Sequence, residues 1–217
     1  MRADFAHIDT WVFDLDETLY PPSTPLFPQI ETRMTDWIMR ETGADRVEAD
    51  RLRTSWWEHH GTTLAGLMAD HGIDPHPFLA DVHDIDFSVL SPDPALADAL
   101  AALPGRRIIF TNGTVGYAAE VLAARGLGDL WDAVYGVEEA GLTPKPQPEA
   151  YTRVFGADGL DTTRAAMFED TPRNLAVPHT LGMSTIHVAP VALAAPHLHH
   201  HTDDLTHFLR DITRSGA

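Results

Sequence analysis

Asp14 and Asp16 stand two residues apart, directly behind the apolar run Thr10-Trp11-Val12-Phe13. Carboxylates that close a hydrophobic strand are poor stabilisers, because burial penalises their charge. They can do chemistry instead. One can attack phosphorus while the other carries a proton to and from the reacting oxygen. The pair therefore reads as a nucleophile and its acid–base partner for phosphoryl transfer. Spacing alone is weak support, since Asp84-Ile85-Asp86 repeats it without an apolar strand in front.

The element ahead of the first pair sets it apart. Five continuous apolar runs read as strands covered on both faces: 10–14, 107–111, 133–137, 165–169 and 184–188. Helical patterns separate the last four. One opens at Ser91-Pro92-Asp93-Pro94; a second is capped by Thr114 and ended by Gly126. Pro148 begins a third, and Pro172 a fourth that ends near Gly182. Repeated strand–helix–strand units predict an α/β fold with a parallel sheet and right-handed crossovers. Asp14 and Asp16 then lie at its carboxyl edge, where open α/β sheets bind ligands.

Residues 21–90 break the rhythm. They carry no convincing strand. Ile30, Met34, Trp37 and Ile38 share one helical face, and further helices are expected from about Ala44 to His60 and from Thr63 to His71. Gly72-Ile73-Asp74-Pro75 reads as a turn. The interval is expected to form a separate helical unit, with Pro21, Pro22 and Pro25 as a stiff start and Ser88 to Pro94 as the exit. Residues 1–20 and 91–217 then form the core.

Three more chemical groups fall at strand ends. Thr111-Asn112-Gly113 follows the second strand, and its hydroxyl and backbone N–H groups could cradle a phosphate. Lys145 lies in the loop after the third. Glu169-Asp170 ends the fourth, with Asn174 four residues beyond Asp170. Taken singly, each is an ordinary turn or cap. Four in one order are not. Lys145 is also the only lysine beside 14 arginines, which suggests a need for a compact ammonium.

Composition limits the alternatives. With 217 residues and 44% hydrophobic content, one substantial core and a small second module are expected. No apolar run is long enough to cross a bilayer, and no signal peptide is expected at Met1 onward. The chain has no cysteine, which excludes thiol nucleophiles and Cys-based zinc sites. A cytoplasmic location is the default expectation. The net charge of −17, with no basic patch, argues against a nucleic-acid polymer as partner. The segment His197-Leu198-His199-His200-His201 reads as a solvated connector. The sequence sets no oligomeric state.

The strings Asp14-Leu15-Asp16-Glu17-Thr18-Leu19, Phe110-Thr111-Asn112-Gly113, Lys145-Pro146 and Phe168-Glu169-Asp170-Thr171-Pro172-Arg173-Asn174 resemble the haloacid-dehalogenase-like superfamily, in its phosphatase branch. The resemblance implies a Rossmann-like core with an inserted helical cap. It implies Asp14 as nucleophile, forming an aspartyl phosphate, and Asp16 as acid and then base. It further implies Mg2+ held by Asp14, the Asp16 carbonyl oxygen and Asp170. Thr111 would donate to a phosphate oxygen, and Leu15, Asn112 and Gly113 would bind phosphate. Lys145 would neutralise charge on Asp14 and the transferring group. Glu169 and Asn174 would support the metal site, Asn174 by orienting a water. Asn174 departs from the second acid that many relatives carry there. Dehalogenase relatives lack an acid at the position of Asp16, because no leaving oxygen needs a proton.

Within the insert, Trp56-Trp57-Glu58-His59-His60-Gly61-Thr62-Thr63 and Val82-His83-Asp84-Ile85-Asp86 resemble the pyrimidine 5′-nucleotidase subgroup, with His60 where a tyrosine is frequent. His60, Thr62 and Thr63 become candidate substrate contacts, although either threonine could simply cap the next helix. One of Trp56 and Trp57 should be core while the other faces the cleft. Asp84 and Asp86 should serve a hinge or cap contact rather than a metal. The expected activity is Mg2+-dependent hydrolysis of a small phosphomonoester, pyrimidine nucleoside 5′-monophosphates first. The alternatives are a capped phosphatase or mutase for a sugar phosphate or phosphoglycolate, and a non-catalytic phosphate-ligand binding protein.

Overall fold

Six strands line up in parallel in the computed structural model, which describes residues 2–213. They are β1 (Thr10–Phe13), β2 (Arg106–Phe110), β3 (Ala133–Tyr135), β4 (Ala165–Glu169), β5 (Ser184–Val188) and β6 (His200–Thr202). Their order, β3-β2-β1-β4-β5-β6, makes the fold Rossmann-like, with β1 and β4 side by side where the winding reverses. Side chains alternate across the sheet. Trp11 and Phe13 enter one buried cluster with Phe168, whereas Val12, Ile108, Phe110 and Met167 enter a second. Apolar residues on both faces explain why these strands read as unbroken runs.

The sequence-based expectation needs three corrections here. The histidine-rich segment is not a solvated connector: His200–Thr202 is the edge strand β6, parallel to β5. The Thr185 hydroxyl donates to the His197 carbonyl at 2.8 Å and fixes the approach to that strand. The segment after Asp74 is a helix rather than only a turn, and the fourth crossover begins as a 3-10 turn, Pro172–Leu175.

The helices are α1 (Phe27–Thr42), α2 (Arg46–His60), α3 (Thr63–His71), α4 (Pro75–Val82), α5 (Pro94–Ala101), α6 (Val115–Ala124), α7 (Pro148–Asp158), α8 (Ala176–Thr180) and α9 (Leu205–Thr213). Capping sets many of their starts. Asp45, Thr62, Asp74, Asp93 and Thr114 each accept a backbone N–H of the following turn. The first four helices form the insert, and their apolar residues join the same buried cluster as one face of the sheet. Arg125 ties both ends of this insert down. Its guanidinium donates to Leu19 O at 3.1 Å, Ser91 O at 2.6 Å and Asp93 Oδ2 at 2.7 Å.

Within the insert, α2 and α3 meet through Gly66, where an added Cβ would lie 2.1 Å from the Trp56 ring. Trp56 is itself buried and donates its indole N–H to Asp70. Gly66→Ala is expected to destabilise the protein by about 1–3 kcal/mol, the usual cost of overpacking. The midpoint of urea unfolding measures it; an unchanged midpoint would mean that Trp56 has room to move.

Candidate active site

The switch between β1 and β4 sends their following loops apart and opens a crevice at the carboxyl edge of the sheet. Asp14 is the first residue beyond β1, and its N–H still donates to Phe168 O on β4 at 2.9 Å. Glu169 is the last residue of β4, followed by Asp170. Thr111 stands just beyond β2, and Lys145 lies between β3 and α7. Glu17 turns the chain after Asp16 with φ 56°, a left-handed conformation that costs a non-glycine residue roughly 1–2 kcal/mol.

Lys145 is only 1% exposed and its Nζ is fully engaged. It donates to Asp14 Oδ1 at 2.7 Å, Glu169 Oε2 at 2.7 Å and Phe110 O at 2.8 Å. An ammonium has three donors, so none remains for a phosphate oxygen in this arrangement. In this arrangement what Lys145 offers the crevice is its charge rather than a donor. Burial alone would lower its pKa, but the charges of Asp14 and Glu169 outweigh burial and hold it above the ordinary value. The Asn112 side chain fixes the same loop. Its Oδ1 accepts Lys145 N–H at 2.8 Å, and its Nδ2 donates to Lys145 O at 3.2 Å. That use takes the Asn112 amide away from substrate, leaving its backbone.

One ammonium faces four carboxylates. Burial first, then the charge of Glu169, pushes Asp14 up to about 7 against the pull of Lys145. Asp170 is raised well above the ordinary range by burial and by the charges of Glu169 and Asp14. Ligand oxygens of Asp14, Glu169 and Asp170 lie within 4.8 Å of one another. This crowded, oxygen-only set suits a hard cation. Asn174 points the same way: its Nδ2 donates to Glu169 Oε1 at 3.1 Å, while its Oδ1 is buried without a partner among the described residues. Such an orphaned acceptor fits a donor that a hydrated cation brings.

Asp16 is held differently. Tyr20 Oη donates to its Oδ1 at 2.6 Å, and Tyr117 Oη donates to the same oxygen. Burial raises the Asp16 carboxyl, these two bonds oppose it, and the balance remains upward. Burial and the Asp16 charge also push both phenols up, so they stay protonated donors. The Thr18 hydroxyl donates to Asp14 Oδ2 at 3.3 Å. Thr111 is buried, and its Oγ1 accepts Gly113 N–H at 3.0 Å. Leu15 is fully buried behind the crevice.

The insert closes the crevice into a cleft of about 470 Å³, within the range of small-molecule sites. Asp14, Asp16, Asn112, Gly113, Asp170 and Asn174 line its floor; Phe27, Glu31, Arg53 and Trp57 line the insert side. Thr62 and Thr63 line it too. Thr62 also caps α3 through Ala65 N–H, so both of its expected roles are compatible. His60 lies outside the lining residues, which removes the structural support for it as a substrate contact. Trp56 is buried and Trp57 is 45% exposed at the cleft, which divides the pair as expected. Asp84 pairs with Arg33 at 3.0 Å, and Asp86 bonds through its backbone to the Gln29 side chain at 3.0 Å. Both therefore serve contacts within the insert.

Arg173 stands in one of the sequence motifs but received no role from it. Its guanidinium sits 3.8 Å from the Trp57 ring centroid and donates to Trp57 O at 2.8 Å and Gly61 O at 3.2 Å. A residue of the β4 loop thereby caps the carboxyl end of α2 and joins the insert to the carboxyl edge of the sheet. Tyr20, Tyr117 and Arg53 were missed. Their only local signals are Tyr20 four residues after Asp16 and Tyr117 three after its capping Thr114.

The sequence model of haloacid dehalogenase-like hydrolases matches residues 8–179. Phosphate metabolism protein 8 of Saccharomyces cerevisiae is 26% identical over 192 residues, covering 80% of this chain and 59% of the yeast protein. The chain thus spans under two thirds of that relative's length. The (S)-2-haloacid dehalogenase of Xanthobacter autotrophicus is 29% identical over 187 residues, covering 85% of this chain and 71% of its own. Among solved structures, the hydrolase YfnB of Bacillus subtilis, bound to magnesium, superposes with a TM-score of 0.65. The match covers 95% of this chain and 99% of YfnB at 14% identity, so it speaks for the fold.

Proposed function

Because the chain belongs to the haloacid dehalogenase-like hydrolase family, we propose that it hydrolyses phosphomonoesters through an aspartyl phosphate, with pyrimidine nucleoside 5′-monophosphates as substrates. One relative is a haloacid dehalogenase and another is named for phosphate metabolism, and Asp16 favours phosphate chemistry. A halide leaves without needing a proton, whereas an alkoxide does. The observation that carries the reading is this carboxyl, which lines the cleft with Asp14 and is held by two tyrosine hydroxyls.

In the proposed reaction a carboxylate oxygen of Asp14 forms a bond to phosphorus as the bond to the leaving oxygen breaks. Asp16 gives that oxygen its proton. The resulting Asp16 carboxylate then takes a proton from water as the water oxygen bonds to phosphorus. The bond to Asp14 breaks, inorganic phosphate leaves, and both residues regain their starting forms. Asp14, Asp170 and the Asp16 carbonyl oxygen would hold Mg2+, which supplies positive charge for the phosphate oxygens. Lys145 holds Asp14 in its attacking orientation and adds the buried positive charge.

The insert acts here as a cap that selects the group esterified to phosphate. Phe27 and Trp57, whose ring Arg173 also stacks on, offer apolar surface, while Thr62 and the Arg53–Glu31 pair, joined at 2.6 Å, offer polar groups. A base that stacks and hydrogen-bonds along one edge matches that lining. Cap closure would exclude bulk water during transfer.

Phosphate release from pyrimidine and purine monophosphates, sugar phosphates and a 2-haloacid control tests the reading. With Mg2+ present, pyrimidine monophosphates are expected to lead sugar phosphates at least tenfold in kcat/KM, about 1.4 kcal/mol. A preference for sugar phosphates sinks the nucleotidase assignment and spares the mechanism. Halide release without phosphate release sinks both. Chelation is expected to abolish turnover; full activity in chelator would refute the metal assignment.

A further inference from the structure

Two phenols from different parts of the fold meet on one oxygen of Asp16. Tyr20 comes from the loop that leaves β1 toward the insert, and Tyr117 from the first turn of α6. Both donate to Oδ1, and Oδ2 receives neither. A carboxylate has about four lone-pair sites, so mere satisfaction of two buried hydroxyls would not require them to share one oxygen. The Tyr117 ring is itself fixed. His83, the residue that ends α4, stacks on it at 4.4 Å between centroids and 12° between planes. The His83 Nδ1 and the Oγ1 of Thr114, which caps α6, are 3.5 Å apart.

An unrestrained aspartate turns about two side-chain bonds. Held by two donors on Oδ1, Asp16 has a set orientation, with Oδ2 as the oxygen left to meet a leaving group. Such placement matters, because an error of about 1 Å can cost 10²-fold in rate. We infer that Tyr20 and Tyr117 are positioning residues for Asp16, jointly presenting its Oδ2 to the leaving oxygen of the substrate. This inference rests on the phosphatase reading above and adds two residues that act through Asp16 rather than on substrate.

A leaving-group series separates this role from a structural one. The probes are aryl phosphates whose phenols differ in acidity, and the quantity is kcat/KM, which reports steps up to the first P–O cleavage. Poor leaving groups need the acid; good ones need it less. Asp16→Ala is expected to steepen the dependence on leaving-group acidity. Tyr117→Phe and Tyr20→Phe should each steepen it partly, with a loss of about tenfold at the poorest leaving group, within the 10²–10⁴-fold share of acid–base catalysis. The double variant should approach Asp16→Ala. Each substitution keeps the ring, so stacking on His83 persists. If Asp16→Ala steepens the series while the tyrosine variants lower every ester equally, the positioning role is overturned and the acid assignment stands. If Asp16→Ala keeps the parental slope, the acid assignment itself falls, and the inference falls with it.

Discussion

Asp14→Asn is expected to fold like the parent and to lose phosphate release on the order of 10⁵-fold or more, the scale on which a covalent nucleophile acts. An amide has the shape of the carboxylate but cannot form the acyl phosphate. The surroundings tolerate the exchange. Thr18 Oγ1 and Lys145 Nζ lie within reach of the same two atoms, and Lys145 keeps Glu169 and Phe110 O. Stability should move in the variant's favour. Asp14 is raised from 3.8 to about 7 by burial and the charge of Glu169, so the folded protein holds this proton better than the unfolded chain does. In metal-free parent protein, stability from this group is therefore lost as pH rises from about 4 to about 7. Asn has no proton to lose. The stability gap between variant and parent should widen across that window, read as urea midpoints in chelator. Near-parental phosphate release from the variant would overturn the nucleophile assignment.

Lys145→Met should do the opposite to the fold. It removes the only ammonium among the buried acids and leaves Asp14 Oδ1 and Glu169 Oε2 without their 2.7 Å partner. Breaking a buried ion pair by deleting one member costs about 3–5 kcal/mol, because the remaining charge stays desolvated. Methionine fills most of the volume, so the loss reports charge more than cavity. Glu169→Gln in the same chain should recover part of the stability and none of the activity, since Asp14 would still lack its orienting cation. A stability loss under about 1 kcal/mol would mean that water or an ion replaces the ammonium readily.

Five of the six strands were legible as apolar runs: β1, β2, β4 and β5 lie inside the sheet, and the half-buried edge strand β3 is apolar as well. A strand buried on both faces must be apolar at every position, and such runs stand out. β6 escaped because it is a polar edge, His200–Thr202, held by β5 along one side. α4 escaped because its Asp74-Pro75 start looks like any turn, although Asp74 caps it. The site divides similarly. Asp14, Thr111, Lys145 and Glu169-Asp170 were found because each follows or ends a readable strand. Tyr20 and Tyr117 were not, and Arg173 received no role, because their partners lie elsewhere in the chain or show only in three dimensions. The Arg173 bond to Trp57 O spans 116 residues, and that from Tyr117 to Asp16 spans 101.

The sequence by itself therefore determined the sheet and the chemical groups at its carboxyl edge. A parallel sheet has a single such edge, so order along the chain is enough to place strand-end residues there. Only the tertiary structure decided how those groups are used. It spent all three donors of Lys145, turned the Asn112 amide toward the lysine loop, and left His60 out of the cleft. It also brought two tyrosines onto one oxygen of Asp16. Those outcomes depend on strand order and on how helices pack across it, and local spacing carries neither.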